Sequence, residues 1–329
     1  MRSLLRPTLR RALQAVVTVW AAYTLTFLLL NVLPGDAVLA RVGADTGLDE
    51  ISPEQLEELR RSMGLDGSPV TQYLDRLSAL LTGDLGDSMR TGAPVATTIT
   101  DALPATLGLA AAGFVVAVVG AAVLAVVTVR TRSVWLRGLL GSLPGLGLGL
   151  PAYIIGPLLI MVFSFGLRLL PAAGSGGPEA LVLPAVTLAV VPGAMIAQIL
   201  VSSLEHALAQ PYATTAVAKG AGRLRTILVH CLRNALPPAL AMAGVVVGTL
   251  LAGSVLVETI YSRAGLGRVM LDAVNNVDLT VVQGVALVGA VAVVVANLAA
   301  DLGTRLLDPR GRAPRRVAPV VPVAVGSAS

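Results

Sequence analysis

The sequence predicts an all-α polytopic membrane protein with six transmembrane helices, from its charge content and the length of its apolar segments. Only 13% of the 329 residues are charged, about half the share that is usual in soluble domains. Six charge-free segments longer than 20 residues interrupt an otherwise ordinary polar sequence. Each is long enough to cross the ~30 Å hydrocarbon core as a helix that rises ~1.5 Å per residue.

The six predicted spans divide the chain into membrane and aqueous parts. They are expected at residues 12–33, about 103–129, about 138–167, about 180–204, about 235–257 and about 279–302. The aqueous parts are an N-terminal segment 1–11, a loop 34–101, a loop 205–233 and a tail 309–329. Residues 102–308 form the core membrane domain, and the Pro-, Ala- and Arg-rich tail is predicted to be disordered.

The apolar segments argue against other architectures. Six charge-free helices in a soluble fold would have no solvated face. The strands of a membrane β-barrel alternate in segments of about ten residues, which is not the pattern here. The first segment is longer than the ~7–15 residue apolar core of a signal peptide, so we interpret it as an uncleaved span.

The distribution of charge predicts the orientation. Sixteen of the 24 Lys and Arg residues fall on the side of the two termini, which has a net charge of +13 against −8 on the other side. Short cytoplasmic loops carry the excess of Lys and Arg, so both termini are predicted to be cytoplasmic. The basic balance therefore reflects contact with a lipid bilayer and gives no support to a nucleic-acid partner.

Few residues are suited to catalysis or to metal binding. Cys231 is the only cysteine, so neither an internal disulfide nor a thiolate metal cluster can form, and no cofactor is expected. An intramembrane Ser/His protease needs a histidine within a span, but His206 and His230 both fall in the loop 205–233. A channel or scaffold stays open as a minor alternative.

The polar residues within the predicted spans indicate how transport could be powered. A secondary transporter usually carries ionisable residues near the midplane, which the six segments lack. Their polar residues Gln198, Gln283 and Asn297 could line a pathway, although hydrogen bonding between helices is the commoner role of such groups. Prolines in the third span, at 144, 151 and 157, favour a broken helix beside a pathway.

The loop 34–101 contains a signal for a short aqueous helix. Ser52 can cap it, Pro53 suits its first position, and Gly64 offers a stop. The acidic residues that follow Pro53 favour the N-terminal end of the helix dipole. The predicted helix is either a docking surface for an external partner or a cap over the spans.

The loop 205–233 is the most unusual aqueous segment. Residues 212–219 are small and can form a helix behind Pro211, and Gly220 and Gly222 permit a sharp turn. Apolar residues at helical spacing follow from Leu224. Two short helices joined at a turn would form a knob at the membrane face, which is either a docking element or an amphipathic helix on lipid.

The stretch Tyr212–Pro238, YATTAVAKGAGRLRTILVHCLRNALPP, resembles the EAA loop of ABC importer permeases of the dipeptide, oligopeptide and nickel branch. Gly220 matches the first motif glycine, and Thr214 stands where the motif begins with an acidic residue. Other matching segments follow in the family's order: 33–36, 63–66, 83–86, 105–107, 258–262, 265–267, 278–284 and 308–310.

This resemblance implies a type I ABC importer permease fold in the plasma membrane of a prokaryote, without enzymatic activity of its own. It implies a second permease subunit (a heterodimer), two cytoplasmic ABC ATPases and an extracytoplasmic solute-binding protein. The solute would be peptide-like, or nickel or another metal chelate. The residues implied in coupling to the ATPases are Tyr212, Thr214, Thr215, Ala216, Lys219, Gly220, Arg223, Arg225 and Asn234.

Overall fold

The computed structural model of this protein describes residues 2–32 and 68–307, with side chains at 13–28, 68–80 and 82–299. The helix predicted between Ser52 and Gly64 and the tail 309–329 lie outside the described residues. Both therefore stay predictions.

The described residues form ten helices, which we number in chain order. They are α1 (Arg2–Val32), α2 (Pro69–Leu81), α3 (Val95–Arg130), α4 (Val134–Gly149), α5 (Ala152–Gly166), α6 (Glu179–Leu208), α7 (Pro211–Ala218), α8 (Arg223–Ile260), α9 (Leu266–Asn275) and α10 (Leu279–Leu307). Within these ranges the only β-pairing is an isolated bridge between Asp87 and Pro94. The predicted all-α class is confirmed.

Four of the described helices, α3, α6, α8 and α10, are long and apolar enough to cross a membrane. The pair formed by α4 and α5 makes a fifth candidate, although its two halves meet at an angle of 109°. The described apolar part of α1, Leu13–Leu28, is shorter than these. The count of six spans and the position of the termini therefore stay predictions.

The break between α4 and α5 has a local cause. Pro151 disfavours the α conformation at the residue before it, and Leu150 has φ −99° and ψ 114°, outside the helical region. Pro151 itself, with φ −66°, then caps the start of α5. Pro144 and Pro157 lie inside helices that continue, so one of the three prolines accounts for the bend.

Two helices extend well beyond the spans predicted for them. Helix α3 begins at Val95 instead of about residue 103, and α8 begins at Arg223 instead of about residue 235. Charge-free runs locate the part of a helix that lies in lipid, whereas a helix in water tolerates charges such as Asp101 and Arg233. The second extension joins the loop 205–233 to a membrane helix without a break.

Helix α6 lies at the centre of the bundle, where it packs against α3, α4, α5 and α8, while α1 packs on α10 at the edge. The end of the bundle at which α3 and α6 finish is the end that charge assigns to the cytoplasm. Its core is built largely of small side chains, such as Ala121, Ala125 and Ala197, together with Leu204 and Ile227. Small residues let helix backbones approach closely in a membrane.

Candidate coupling site at the cytoplasmic end

Helix α7 begins where the sequence predicts. Gln210 has extended backbone angles, and Pro211 occupies the first turn, where its missing N–H costs nothing. The hydroxyl of Thr215 donates to the Pro211 carbonyl at 2.9 Å, and that of Thr214 donates to the Gln210 carbonyl at 3.4 Å. Both threonines are exposed, and their hydroxyl groups bond within their own helix.

A glycine ends α7. Gly220 has φ +83°, a left-handed conformation that side chains with a Cβ adopt only at a cost. The Ala221 N–H donates to the Ala216 carbonyl at 3.0 Å and the Gly220 N–H to the Val217 carbonyl at 2.9 Å. These two bonds form a Schellman motif. Gly222 has an ordinary φ of −63° and caps α8, so only the first of the two glycines is required by the turn.

The two faces of α7 have different roles. Ala213 and Ala216 are buried, and Ala213 belongs to the same core cluster as Ile227 and Cys231 of α8. Ala216 therefore supports α7 from behind and does not belong to its outer surface. The outer surface is formed by the exposed residues Tyr212, Thr214, Thr215, Val217 and Lys219. The structure has the predicted glycine turn between two helices, and we call residues 211–225 the knob. Its second helix is the start of the long helix α8 and not a second short helix.

Helix α8 links the knob to the membrane. Its second turn, Thr226–Cys231, is wound as a π-helix. Arg223 donates from Nη2 to the Val129 carbonyl at the end of α3, at 2.8 Å. Arg225 is exposed. Asn234 lies further along α8, where its amide donates to the His230 carbonyl at 3.3 Å, so it is part of the helix and lies apart from the knob.

The three candidate pathway residues are not joined into one polar site among the described residues. Gln198 is exposed on the central helix α6. Gln283 is buried on α10, where its Oε1 accepts from Nη1 of Arg76 at 3.4 Å. Asn297 is exposed on α10 and lies against Gly248 of α8, where a Cβ on Gly248 would be 2.8 Å from its Oδ1.

Comparison with known proteins shows which family has this architecture. Residues 117–313 match the family model of the binding-protein-dependent transport system inner membrane component, and residues 4–110 match the model of its N-terminal part. The chain belongs to this family. It is a permease subunit of an ABC importer and resides, as a multi-pass protein, in the plasma membrane of a prokaryote.

The relatives of this permease match it almost from end to end. The dipeptide transport system permease protein DppB of Lactococcus lactis subsp. cremoris is 31% identical over 92% of this chain and 98% of its own. The glutathione transport system permease protein GsiC of Escherichia coli (strain K12) is 31% identical over 93% and 98%. A crystal structure of an amino acid ABC transporter with histidines shares the fold, with a TM-score of 0.50, 18% identity and coverage of 64% of this chain and 94% of that one.

At the opposite end of the permease, buried hydrogen bonds hold separate segments together, and the sequence alone did not predict them. Glu258 at the end of α8 is fully buried and accepts from the Gly267 N–H at 2.7 Å. Thr106 of α3 accepts from the Leu266 N–H at 2.9 Å. Asp278, before α10, accepts from the hydroxyl of Ser88 and from the Met89 N–H.

These contacts give a structural meaning to segments that carried the family resemblance. Residues 105–107, 258–262, 265–267 and 278 are far apart in the sequence but lie at the end opposite the knob, which charge assigns to the outside. Thr106 and Glu258 bond α3 and α8 to α9, and Asp278 bonds the start of α10 to the segment that precedes α3. The segments that match the family were therefore the signal from which these hydrogen bonds could have been predicted. A second missed element is α2, whose Ser68-Pro69 start repeats the Ser-Pro signal noted at Ser52-Pro53.

Proposed function

We propose that this permease forms half of a translocation pathway for a peptide-like solute, with ATPase subunits docked on the knob 211–225. The names of the dipeptide and glutathione permeases support the solute class, because each relative covers nearly the whole chain. A second permease would complete the pathway, and an extracytoplasmic binding protein would deliver the solute. We propose alternating access, in which the packed helices rock as units.

The observation that carries ATPase docking is the way in which the outer surface of α7 is held. Thr214 and Thr215 are exposed while Ala213 and Ala216 anchor the helix on the core. Seven residues after Ala216, α8 begins and continues to Ile260 at the far end of the bundle. A force on α7 therefore acts on a membrane helix through one short turn, as alternating access driven from the cytoplasm requires.

The extracytoplasmic end offers a face for the binding protein. Helix α9 exposes Leu271 and Val274 (42% and 53%), and α2 exposes Val70 and Leu74 (68% and 56%). Exposed apolar side chains on helices other than the candidate spans are typical of contacts with a partner protein. We propose that the binding protein contacts α2 and α9 through these side chains.

The test of ATPase docking is Thr214→Arg, which places a long cation on the outer surface of α7 without altering its buried face. We expect ATPase subunits to be lost on copurification and ATP-dependent uptake to fall at least tenfold, because a docked helix in a groove has no room for the added side chain. Membrane insertion should be unchanged. The matched control is Thr100→Arg, an exposed helical threonine at the extracytoplasmic end of α3, which should leave the ATPases bound.

Gly220→Pro tests the turn itself. Proline fixes φ near −65°, whereas Gly220 has φ +83°, so the substitution should disconnect α7 from α8 and uncouple uptake. If Thr214→Arg retains both the ATPases and uptake, the docking proposal is wrong. Uptake driven by an ion gradient without ATP would favour the secondary-transporter alternative instead.

A further inference from the structure

A cavity of about 550 Å³ opens at the cytoplasmic end, beside the knob. Its walls are the ends of α3 and α6, the start of α4 and the turn that joins α7 to α8. The lining side chains that matter here are Arg132, Arg137, Glu205, Val217 and Arg223. Val217 and Arg223 belong to both the knob and the cavity, whereas Arg132, Arg137 and Glu205 lie outside the coupling site described above.

The cavity has an excess of positive charge. It is lined by three guanidinium groups and a single carboxylate. Nη2 of Arg137 lies 2.6 Å from Oε1 of Glu205, which neutralises one of the three. Arg223 donates to a backbone carbonyl, and among residues 68–299 neither it nor Arg132 forms an ion pair. Two guanidinium groups are therefore left for an anion.

We expect the mouth of the cavity at the depth of lipid headgroups. Helix α3, a candidate span, ends at Arg130, and α4, half of another candidate span, begins at Val134. The residues between two such helices are expected to turn at the membrane surface. Val134 is 87% exposed and Trp135 is 76% exposed, directly between Arg132 and Arg137 in the sequence. Tryptophan is enriched at the interface between membrane and water, and exposed apolar side chains there enter the lipid.

We propose that this cavity binds a phosphate-type anion and that its source is the headgroup of an anionic phospholipid of the cytoplasmic leaflet. Guanidinium groups bind phosphate oxygens through paired N–H donors. Val134 and Trp135, which lie between the lining residues Arg132 and Arg137 in the sequence, would contact the acyl chains of the same lipid. These apolar neighbours favour a lipid over an acidic side chain of an ATPase, which would need no contact with hydrocarbon.

Occupancy of the cavity would act on the knob. Val217, Ala221 and Arg223 line the cavity and also form or flank the turn that ends α7. A bound phosphate would hold Arg223 and thereby fix the start of α8 relative to α3. The inner leaflet would thus influence coupling, whether or not the solute is a peptide.

The test uses the full-length permease with its partner subunits, in nanodiscs of phosphatidylcholine that contain a small fraction of brominated phosphatidylglycerol. The chain has two tryptophans, so Trp20→Phe leaves Trp135 as the permease's own reporter of quenching by nearby bromine. The fluorescence of tryptophans in the partner subunits is measured with the same complex in which Trp135 is also changed to Phe, and it is subtracted. We expect brominated phosphatidylglycerol to quench the fluorescence of Trp135 strongly, and brominated phosphatidylcholine at the same fraction to quench it weakly.

Variants of the lining separate this site from diffuse attraction of anionic lipid. Arg132→Gln should weaken phosphatidylglycerol binding at least tenfold, the equivalent of the ~1.5 kcal/mol that a hydrogen bond to a charged group contributes. Arg130→Gln, an exposed arginine of the same end that does not line the cavity, should change it less than twofold. Native mass spectrometry of the same variants should show fewer retained phosphatidylglycerol molecules only for Arg132→Gln.

Three outcomes would overturn the proposal. Equal effects of Arg132→Gln and Arg130→Gln would mean that attraction to the surface is diffuse. If millimolar inorganic phosphate displaced phosphatidylglycerol, and if the permease also bound phosphate in nanodiscs of pure phosphatidylcholine, lipid would be rejected as the source of the anion. Loss of ATPase subunits from Arg132→Gln with unchanged lipid quenching would assign the cavity to the ATPase. The lipid readouts do not measure uptake, so their failure would leave the proposed transport function untouched.

Discussion

The two ends of this permease are held together by different kinds of contact. At the extracytoplasmic end, the buried side chains of Glu258, Thr106 and Asp278 bond to backbone N–H groups of other segments. At the cytoplasmic end, α7 rests on the core through Ala213 and Ala216, and the hydrogen bond from Arg223 to the Val129 carbonyl is made by an exposed side chain. The described ion pair of that end, Arg137–Glu205, is nearly half exposed.

This difference suggests what each end must do. Buried hydrogen bonds are directional and costly to leave half made, so the extracytoplasmic ends of α3, α8, α9 and α10 should behave as one unit. Packing of small apolar residues has no such directional requirement, and it leaves the outer surface of α7 free for partners. The contrast predicts that substitutions at the extracytoplasmic end act mainly on stability, whereas those at the knob act mainly on coupling.

The largest effect on stability should come from Gly267→Ala. A Cβ at this position would lie 2.4 Å from the Val255 carbonyl oxygen, and backbone cannot give way as a flexible side chain can. We expect a loss of about 3 kcal/mol, the upper part of the range for overpacking, seen as a lower thermal unfolding midpoint in detergent. Gly289→Ala, at a helical glycine with no such neighbour within 4 Å, should be neutral or slightly stabilising. Equal midpoints for the two variants would contradict the tight packing of this end.

Asp278→Ala should have the next largest effect. It would leave the Met89 and Val281 N–H groups and the Ser88 hydroxyl without their carboxylate acceptor. Hydrogen bonds to charged groups contribute about 1.5–3 kcal/mol each, and we expect a net loss of about 2 kcal/mol because water can replace part of them. Limited proteolysis should also detect release of the segment 86–94.

Two further variants control this prediction. Asp278→Asn keeps one acceptor oxygen and should lose less stability than Asp278→Ala. Asp272→Ala removes an exposed carboxylate of α9, 55% accessible, and should have almost no effect on the midpoint. A midpoint of Asp278→Ala equal to that of Asp272→Ala would mean that these bonds do not hold the extracytoplasmic end.

Tyr261→Phe should have a smaller effect that depends on pH. The Tyr261 hydroxyl lies 2.8 Å from the Thr187 hydroxyl and 3.3 Å from the Gly156 carbonyl, so its loss should cost about 1 kcal/mol. Burial raises the pKa of the Tyr261 phenol above its ordinary value, and the bond with Thr187 opposes part of this rise. The folded protein therefore holds this proton more tightly than the unfolded chain. The resulting stability is fully present below a pH of about 10 and is lost as pH rises through the folded pKa.

The measurement is the unfolding midpoint at pH 8 and at pH 11. The wild-type chain should lose more stability between these values than Tyr261→Phe does. Tyr153→Phe, which changes a phenol that is 60% exposed, should retain the wild-type dependence on pH. If Tyr261→Phe and the wild type lose the same stability, Tyr261 does not contribute to the alkaline transition.

Residue types predicted the apolar helices α3, α6, α8 and α10 and the glycine turn after α7, but they did not predict the polar bonds at the opposite end. Lipid requires apolar side chains along a span, and the Gly220 turn requires a glycine, so both features are visible in residue types. Glu258 lies one residue beyond a charge-free run, and its partner is the backbone N–H of Gly267, which any residue type other than proline could supply. The prolines at 184 and 192 remain inside a continuous α6, so residue type also does not tell which proline breaks a helix.

The smallest effect should come from Arg137→Gln, which removes the exposed ion pair with Glu205. The two side chains are 45% and 43% accessible, so water screens both charges, and ordering two long side chains offsets part of the attraction. A double-mutant cycle with Glu205→Gln should give a coupling energy below about 1 kcal/mol that decreases at high salt. A coupling of several kcal/mol that is insensitive to salt would mean that partner subunits or lipid bury this pair in the assembled transporter. The cytoplasmic end would then be locked by a polar bond like those of the opposite end, and the contrast between the two ends would be a property of the isolated chain alone.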